Sequence, residues 1–158
     1  MTQQSTFPPS SGYETVRAAI AYLSEAGPDT LDLDRFARAL GMNARQLTDT
    51  FRAWCGLSPK SFAQAVALDH ARTLLRERES VLSTTYEVGL SSTSRLHDLF
   101  VTYEAMPPGI FRARGEGLDM TWGAAPSPFG IAVITTTPYG ISGIGFADSD
   151  EGIHAAFE

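Results

Sequence analysis

The apolar positions of this chain keep a helical rhythm as far as about residue 114 and turn to alternation after it. Val16, Ala19, Ile20 and Leu23 recur at three- and four-residue spacing, which predicts an amphipathic helix over 13–26 halted by Gly27-Pro28. Asp32 or Asp34 can cap a short helix holding Phe36, Ala37 and Leu40. Gly41 then permits a tight turn, and Asn43 suits the N-cap of a helix whose Leu47 and Phe51 face inward. Ser58-Pro59 opens a long helix with Phe62, Val66, Leu68, Ala71, Leu74 and Leu75 toward a core and Arg72, Arg76, Arg78 and Glu79 toward solvent. Ser91 or Ser92 caps a further helix reaching Phe100, and Pro107-Pro108 starts a last one ending near Arg114. Beyond the glycines at 109, 115 and 117 the pattern changes. Leu118, Met120 and Trp122 alternate, residues 130–137 are rich in β-branched side chains, and 141–146 can form another strand after a Pro138-Tyr139-Gly140 turn. Ser149 or Asp150 can cap a final helix in which Ile153, Ala156 and Phe157 repeat. That pattern breaks off at Glu158, which implies an incomplete domain.

Two stretches of the chain follow one template. Counting forward by 49, Leu47, Phe51, Pro59 and Phe62 fall on Leu96, Phe100, Pro108 and Phe111. Residues 40–51 read Leu-Gly-Met-Asn-Ala-Arg-Gln-Leu-Thr-Asp-Thr-Phe, and residues 88–100 read Val-Gly-Leu-Ser-Ser-Thr-Ser-Arg-Leu-His-Asp-Leu-Phe. Gly41 and Gly89 are 48 apart, so the second turn is one residue longer. Ala37, Gly41 and Leu47 stand where a helix-turn-helix needs a small residue, a flexible turn residue and an apolar anchor. Helical solenoids also repeat at this period, but they stack three or more units. A single recurrence favours a pair of DNA-reading heads, with the long helix after Ser58-Pro59 as a strut between them.

Charge refines this picture. The chain has 158 residues and a net charge of -6, room for one ordinary domain and part of another. All 12 Arg and Lys lie within residues 13–114 beside 12 acids, while Glu116, Asp119, Asp148, Asp150, Glu151 and Glu158 have no basic counterpart. A neutral helical part therefore precedes an acidic tail. Neutrality implies weak nonspecific affinity for phosphate, falling further as salt rises. Residues 1–12 are polar, without a basic start or an apolar stretch, and are expected to be a disordered lead rather than a signal peptide. No apolar run approaches a membrane span, so a cytoplasmic location without membrane contact is expected. The single cysteine, Cys55, allows neither an internal disulfide nor a thiolate cluster, and His70 and His154 have no partner at ligand spacing. Neither a metal nor a cofactor is expected.

On these residues the chain resembles a known family. Residues 13–114 resemble the AraC/XylS-type DNA-binding domain at Leu47, Phe51, Gly56-Leu57-Ser58-Pro59, Phe62, Ala71, Leu74-Leu75, Gly89-Leu90, Leu96, Phe100 and Pro108. Gly-Leu-Ser-Ser, Arg-Leu-His-Asp-Leu-Phe and Glu-Ala-Met-Pro-Pro-Gly, all within residues 80–115, are similar to the Ada-like regulators fused to a methylated-DNA protein-cysteine methyltransferase. Ser127-Pro128-Phe129-Gly130 followed by two strands resembles the opening of the ribonuclease-H-like subdomain of alkylguanine alkyltransferases. The implied fold is mainly α, two helix-turn-helix units joined by a long linker helix, followed by a short partial α+β segment. Its implied parts are the lead at 1–12, a DNA-binding domain at 13–114 and an incomplete methyltransferase subdomain at 115–158.

The resemblance places DNA-facing side chains at Arg45, Thr48 and Asp49 in one recognition helix and at Thr93, Ser94, His97 and Asp98 in the other. Arg45 is the leading base reader, because arginine can grip guanine N7 and O6 together, worth about 1 to 3 kcal/mol of discrimination. Asp49 and Asp98 would accept from a cytosine amine or repel phosphate. Gln46, Arg52, Lys60 and Arg95 are placed for backbone contacts that set register, and the helix N-termini near Asn43 and Ser92 can add amide contacts.

Departures from the family pattern limit what the tail can do. The Pro-Cys-His-Arg motif that forms the alkyl-accepting thiolate is absent, as is the four-cysteine zinc-bound domain of the founding Ada-like protein. Ala67 replaces the arginine that usually precedes the linker-helix leucine. No catalytic residue and no enzymatic activity are therefore expected of this chain. The expected function is that of a sequence-specific transcriptional regulator of double-stranded DNA, linked to the alkylation-damage response. The alternative is the non-catalytic N-terminal part of a DNA alkyltransferase repair enzyme. RNA polymerase is a further candidate partner, and self-association through exposed strands of 118–147 is a third possibility.

Overall fold

Caps and left-handed residues decide where the helices of this protein begin and end. The computed structural model describes residues 10–149 and Gly152. Within them the order is α1 (Ser10–Glu25), α2 (Leu33–Ala39), α3 (Ala44–Cys55), α4 (Pro59–Arg76), α5 (Val81–Glu87), α6 (Thr93–Glu104), α7 (Pro108–Arg112), β1 (Thr121–Ser127), β2 (Gly130–Thr137) and β3 (Gly140–Ala147). Asp32, one of the two expected caps, accepts from the Arg35 amide at 2.8 Å and starts α2. Asn43 starts α3 with a reciprocal box: its Oδ1 accepts from the Gln46 amide at 2.9 Å, and Gln46 Oε1 accepts from the Asn43 amide at 3.0 Å. Gly56, at φ 73°, ends α3, a left-handed position that only glycine adopts without penalty.

Three boundaries and one helix differ from expectation: α4 ends at Arg76, short of Arg78 and Glu79, and α5 forms over Val81–Glu87, where no helix is expected. The first helix begins at Ser10 rather than Tyr13, so three residues of the expected lead are helical. Ser91 is not the cap of α6, because its amide and hydroxyl both donate to Asp29 Oδ2, at 2.9 and 2.7 Å. That leaves Ser92 directly before Thr93. The helix expected around Ile153, Ala156 and Phe157, with the rest of the lead, lies outside the described residues.

The chain divides into two compact units. One holds the residues up to Leu74 together with Leu82–Ser92, and the other holds Leu75–Val81 and the described residues from Thr93 onward. In the first, Val16, Ala19 and Leu23 of α1 pack with Ala37, Leu47, Phe51 and Ala63. Phe62 meets Phe51 edge-on at 5.5 Å, and Tyr22 stacks on Phe36 at 4.3 Å. Each such fully buried Leu or Phe contributes roughly 1.5 to 3 kcal/mol relative to exposure. Gly27 and Gly89 touch backbone to backbone, and a Cβ on Gly89 would lie 2.4 Å from Gly27 Cα. Ala67, the departure from the family's arginine, is buried in this unit.

The second unit buries Leu75, Leu96, Leu99, Phe100 and Ala105, with Val133 and Ala147 from the strands. Phe111 meets Phe100 edge-on at 5.1 Å. Arg112 donates from Nε to Glu79 O at 2.8 Å and from Nη2 to Arg78 O at 2.9 Å, closing the chain behind the linker helix. The strands form one antiparallel sheet in the order β1-β2-β3, with Val133 opposite Ala124 and Gly145, and Ile134 opposite Gly123 and Ile144. Two-residue turns, Pro128-Phe129 and Pro138-Tyr139, join them. Leu118 and Met120 precede β1 rather than alternating within it. Because paired residues share a face, Ile134, Ile144 and Phe146 lie on one side of the sheet, exposed, and Val133 on the other, buried. Thr137 Oγ1 donates to Ala105 O, tying the second hairpin to the end of α6.

Candidate nucleic-acid interface

Helix α3 is split lengthwise by its sequence. Leu47 and Phe51, 1% and 0% exposed, anchor its inner side, and a 3.6-residue turn then sends positions 45, 48, 49 and 52 to the outer side. Arg45, Asp49 and Arg52 are indeed exposed, and Thr48 is half-buried. Arg45 Nε lies 3.8 Å from Asp49 Oδ2, one turn along the helix, with the two side chains 92% and 65% exposed. So open a pair contributes at most about 0.5 kcal/mol to stability. It leaves the guanidinium fork available while biasing its direction. Gln46 lies to one side of this stripe and has a structural task, since its Oε1 caps the Asn43 amide. Its amide nitrogen is the group left for a phosphate.

Helix α6 repeats the division. Leu96, Leu99 and Phe100 are buried, while Thr93, Ser94, Arg95, His97 and Asp98 are exposed. His97 Nδ1 lies 3.8 Å from Asp98 Oδ1. The register of the repeat places Ser94, His97 and Asp98 where α3 has Arg45, Thr48 and Asp49, and it places Val101 where α3 has Arg52. Val101 lies outside the reading positions that the family resemblance implies, although the same count of 49 that pairs the phenylalanines identifies it.

Lys60 stands exposed in the first turn of α4. Cys55 is half-buried at the end of α3, and burial pushes its thiol pKa up, so it stays protonated and a poor nucleophile. Among the described residues no group of three His, Cys, Asp or Glu could hold a metal, and no helix is long and apolar enough to cross a membrane. The Asp29–Ser91 bonds and the Gly27–Gly89 contact leave no trace in local patterning, because they join residues 62 apart.

Comparison with known proteins follows the same outline. Residues 36–114 match the profile of a family described as "Helix-turn-helix domain". The HTH-type transcriptional regulator MtrA of Neisseria gonorrhoeae is 30% identical over 88 residues, 55% of this chain and 29% of that protein. The regulatory protein Ada of Salmonella typhimurium is 24% identical over 142 residues, 90% of this chain and 40% of its own length. The chain thus spans well under half the length of these relatives. Among solved structures, the DNA-binding domain of AdpA in complex with a target DNA superimposes with a TM-score of 0.58 at 22% identity, over 63% of this chain and 91% of that one. That likeness shows the fold.

Proposed function

The chain belongs to the helix-turn-helix family, with a DNA-binding domain of AraC type, and on that premise we propose that it is a sequence-specific transcriptional regulator reading a bipartite duplex site through α3 and α6. The single observation that carries this reading is the outer stripe of exposed Arg45, Asp49 and Arg52 with half-buried Thr48 opposite the buried Leu47 and Phe51, matched in register on α6 by the exposed Ser94, His97 and Asp98. Arg45 grips a guanine edge, and Arg52 and Lys60 fix the helix against phosphates. Half-sites separated by about one helical turn fit a pair of such heads on one chain. The family is one of DNA-binding regulators rather than enzymes, and no residue of this chain takes a catalytic role. RNA polymerase is a further proposed partner, for the case in which the bound protein activates transcription. The test is selection from a pool of random duplexes followed by a salt titration on the enriched site. A bipartite site whose preference relaxes in Arg45→Ala and His97→Ala supports the reading. Preference unchanged in both, with the fold intact, overturns it.

A second reading concerns the tail. The match to Ada covers 90% of this chain and so extends past the helices into the strands, which favours a lineage tied to alkylation damage and a tail akin to the start of a methyltransferase subdomain. Methyl transfer from alkylated duplex to this chain alone is expected to be nil. The gene's downstream sequence would support this reading if it encoded a Pro-Cys-His-Arg segment, and would count against it if it did not. The exposed Ile134, Ile144 and Phe146 also fit self-association through the sheet, which sedimentation across a concentration series would detect.

A further inference from the structure

The second unit carries a groove whose lining includes none of the reading positions of α3 and α6. It is lined by Arg76, Met106, Phe111, Arg114, Leu118 and Met120, with a volume of about 540 Å³. Its floor and walls are apolar: Phe111 and Leu118 are half-buried, as is Met106, and the flexible Met120 is 54% exposed. Two arginines, both exposed, are among its lining residues. Arg76 lies over the Phe111 ring at 5.5 Å to the centroid, and neither Arg76 nor Arg114 has an ion-pair partner among the described residues. Most cations among the described residues likewise make no ion pair, so what marks these two is their place on the lining of one apolar groove.

We propose that this groove binds a small anionic amphiphile, a carboxylate with an aliphatic or aromatic body. Its head group would pair with Arg76 and Arg114, and its apolar body would lie against Phe111, Leu118 and the two methionines. Guanidinium pairs with carboxylate through two parallel hydrogen bonds, and methionine lets one groove fit tails of different shape. Both halves of the ligand are needed, because an isolated carboxylate prefers water and a bare hydrocarbon leaves the cations unpaired. None of the residues that would hold the ligand is among those proposed to read DNA.

The experiment is a titration of the full chain with octanoate below its micellar range, followed by amide chemical shifts, with octanol and acetate as the two halves of the probe. Octanoate is expected to give saturable shifts at Met106, Gly115, Leu118 and Met120, with octanol and acetate each at least about tenfold weaker. Arg114→Gln, and separately Arg76→Gln, should each lower octanoate affinity by roughly tenfold. Leu118→Gln probes the apolar half and should weaken octanoate without strengthening acetate. Thermal unfolding of each variant distinguishes lost binding from lost fold, and a variant that unfolds is replaced by Arg114→Lys, which keeps the charge and loses the fork. The proposal is overturned if octanol binds as well as octanoate, if the arginine variants bind unchanged, or if the shifts fall on Ile134, Ile144 and Phe146 of the sheet instead.

Discussion

Phe51 and Phe100 stand 49 residues apart, both fully buried, and each meets a second phenylalanine edge-on: Phe62 at 5.5 Å in one case, Phe111 at 5.1 Å in the other. Leu47 and Leu96 repeat the same depth of burial, and Gly41 and Gly89 turn the chain at φ 74° and 72°. The outer sides diverge. Where α3 shows Arg45 and Arg52, α6 shows Ser94 and Val101, while Asp49 and Asp98 keep the same place. Helix α3 opens with a reciprocal box built on Gln46, and Arg95 occupies the matching position of α6. Folding constrains the inner positions, which must fill a core, and leaves the outer ones free to take different reading tasks. On the proposed DNA-reading function, α3 supplies most of both the grip on DNA and the base discrimination, and α6 the smaller share.

The shared frame is broken most severely at its phenylalanines. Phe51→Ala and Phe100→Ala should each cost about 3 to 5 kcal/mol in urea unfolding, and a loss below about 1 kcal/mol at either would show that the two frames are not equivalent. The glycines separate next. Gly89→Ala should cost roughly 2 to 4 kcal/mol, since the new Cβ meets the Gly27 backbone as well as an unfavourable φ, whereas a methyl group on Gly41 would find nothing within 4 Å and Gly41→Ala should lose only about 1 kcal/mol. On the reading face, Arg45→Ala should weaken specific binding by about 1 to 3 kcal/mol and relax one base position, against less than about 1 kcal/mol for Ser94→Ala in the same competition assay. The smallest effect is in the salt dependence. Arg52→Ala should lower the slope of log affinity against log salt by about 1, and Val101→Arg should raise it by a similar amount if α6 lies as close to phosphate as α3.

The helices and strands were largely legible because their signals are local. Asn43, Gly41 and Ser58-Pro59 mark helix starts and turns through caps and dihedral preferences that a few neighbours decide. The recurrence of Leu47 and Phe51 as Leu96 and Phe100 marks α3 and α6 and their outer stripes together. What the pattern does not reveal depends on distant partners. Ser91 looks like a cap from its neighbours, yet it bonds Asp29. Gly27 reads as a helix stop, and its close contact with Gly89 arises only in the folded chain. Arg112 carries no local signal of its role, and in the folded chain it donates to the carbonyls of Arg78 and Glu79. Alternation and turn residues predict the strands, but the exposed face of Ile134, Ile144 and Phe146 follows only from the pairing register.

The unequal grip of the two helices is tested most directly on a selected duplex whose two half-sites are scrambled one at a time, with Arg45→Ala used to identify the half that α3 reads. The account expects scrambling of the α3 half to cost about 2 kcal/mol or more, scrambling of the α6 half to cost less than about 1, and Arg45→Ala to abolish the first penalty while leaving the second. Equal penalties for the two halves, or a first penalty that survives the loss of Arg45, would contradict it.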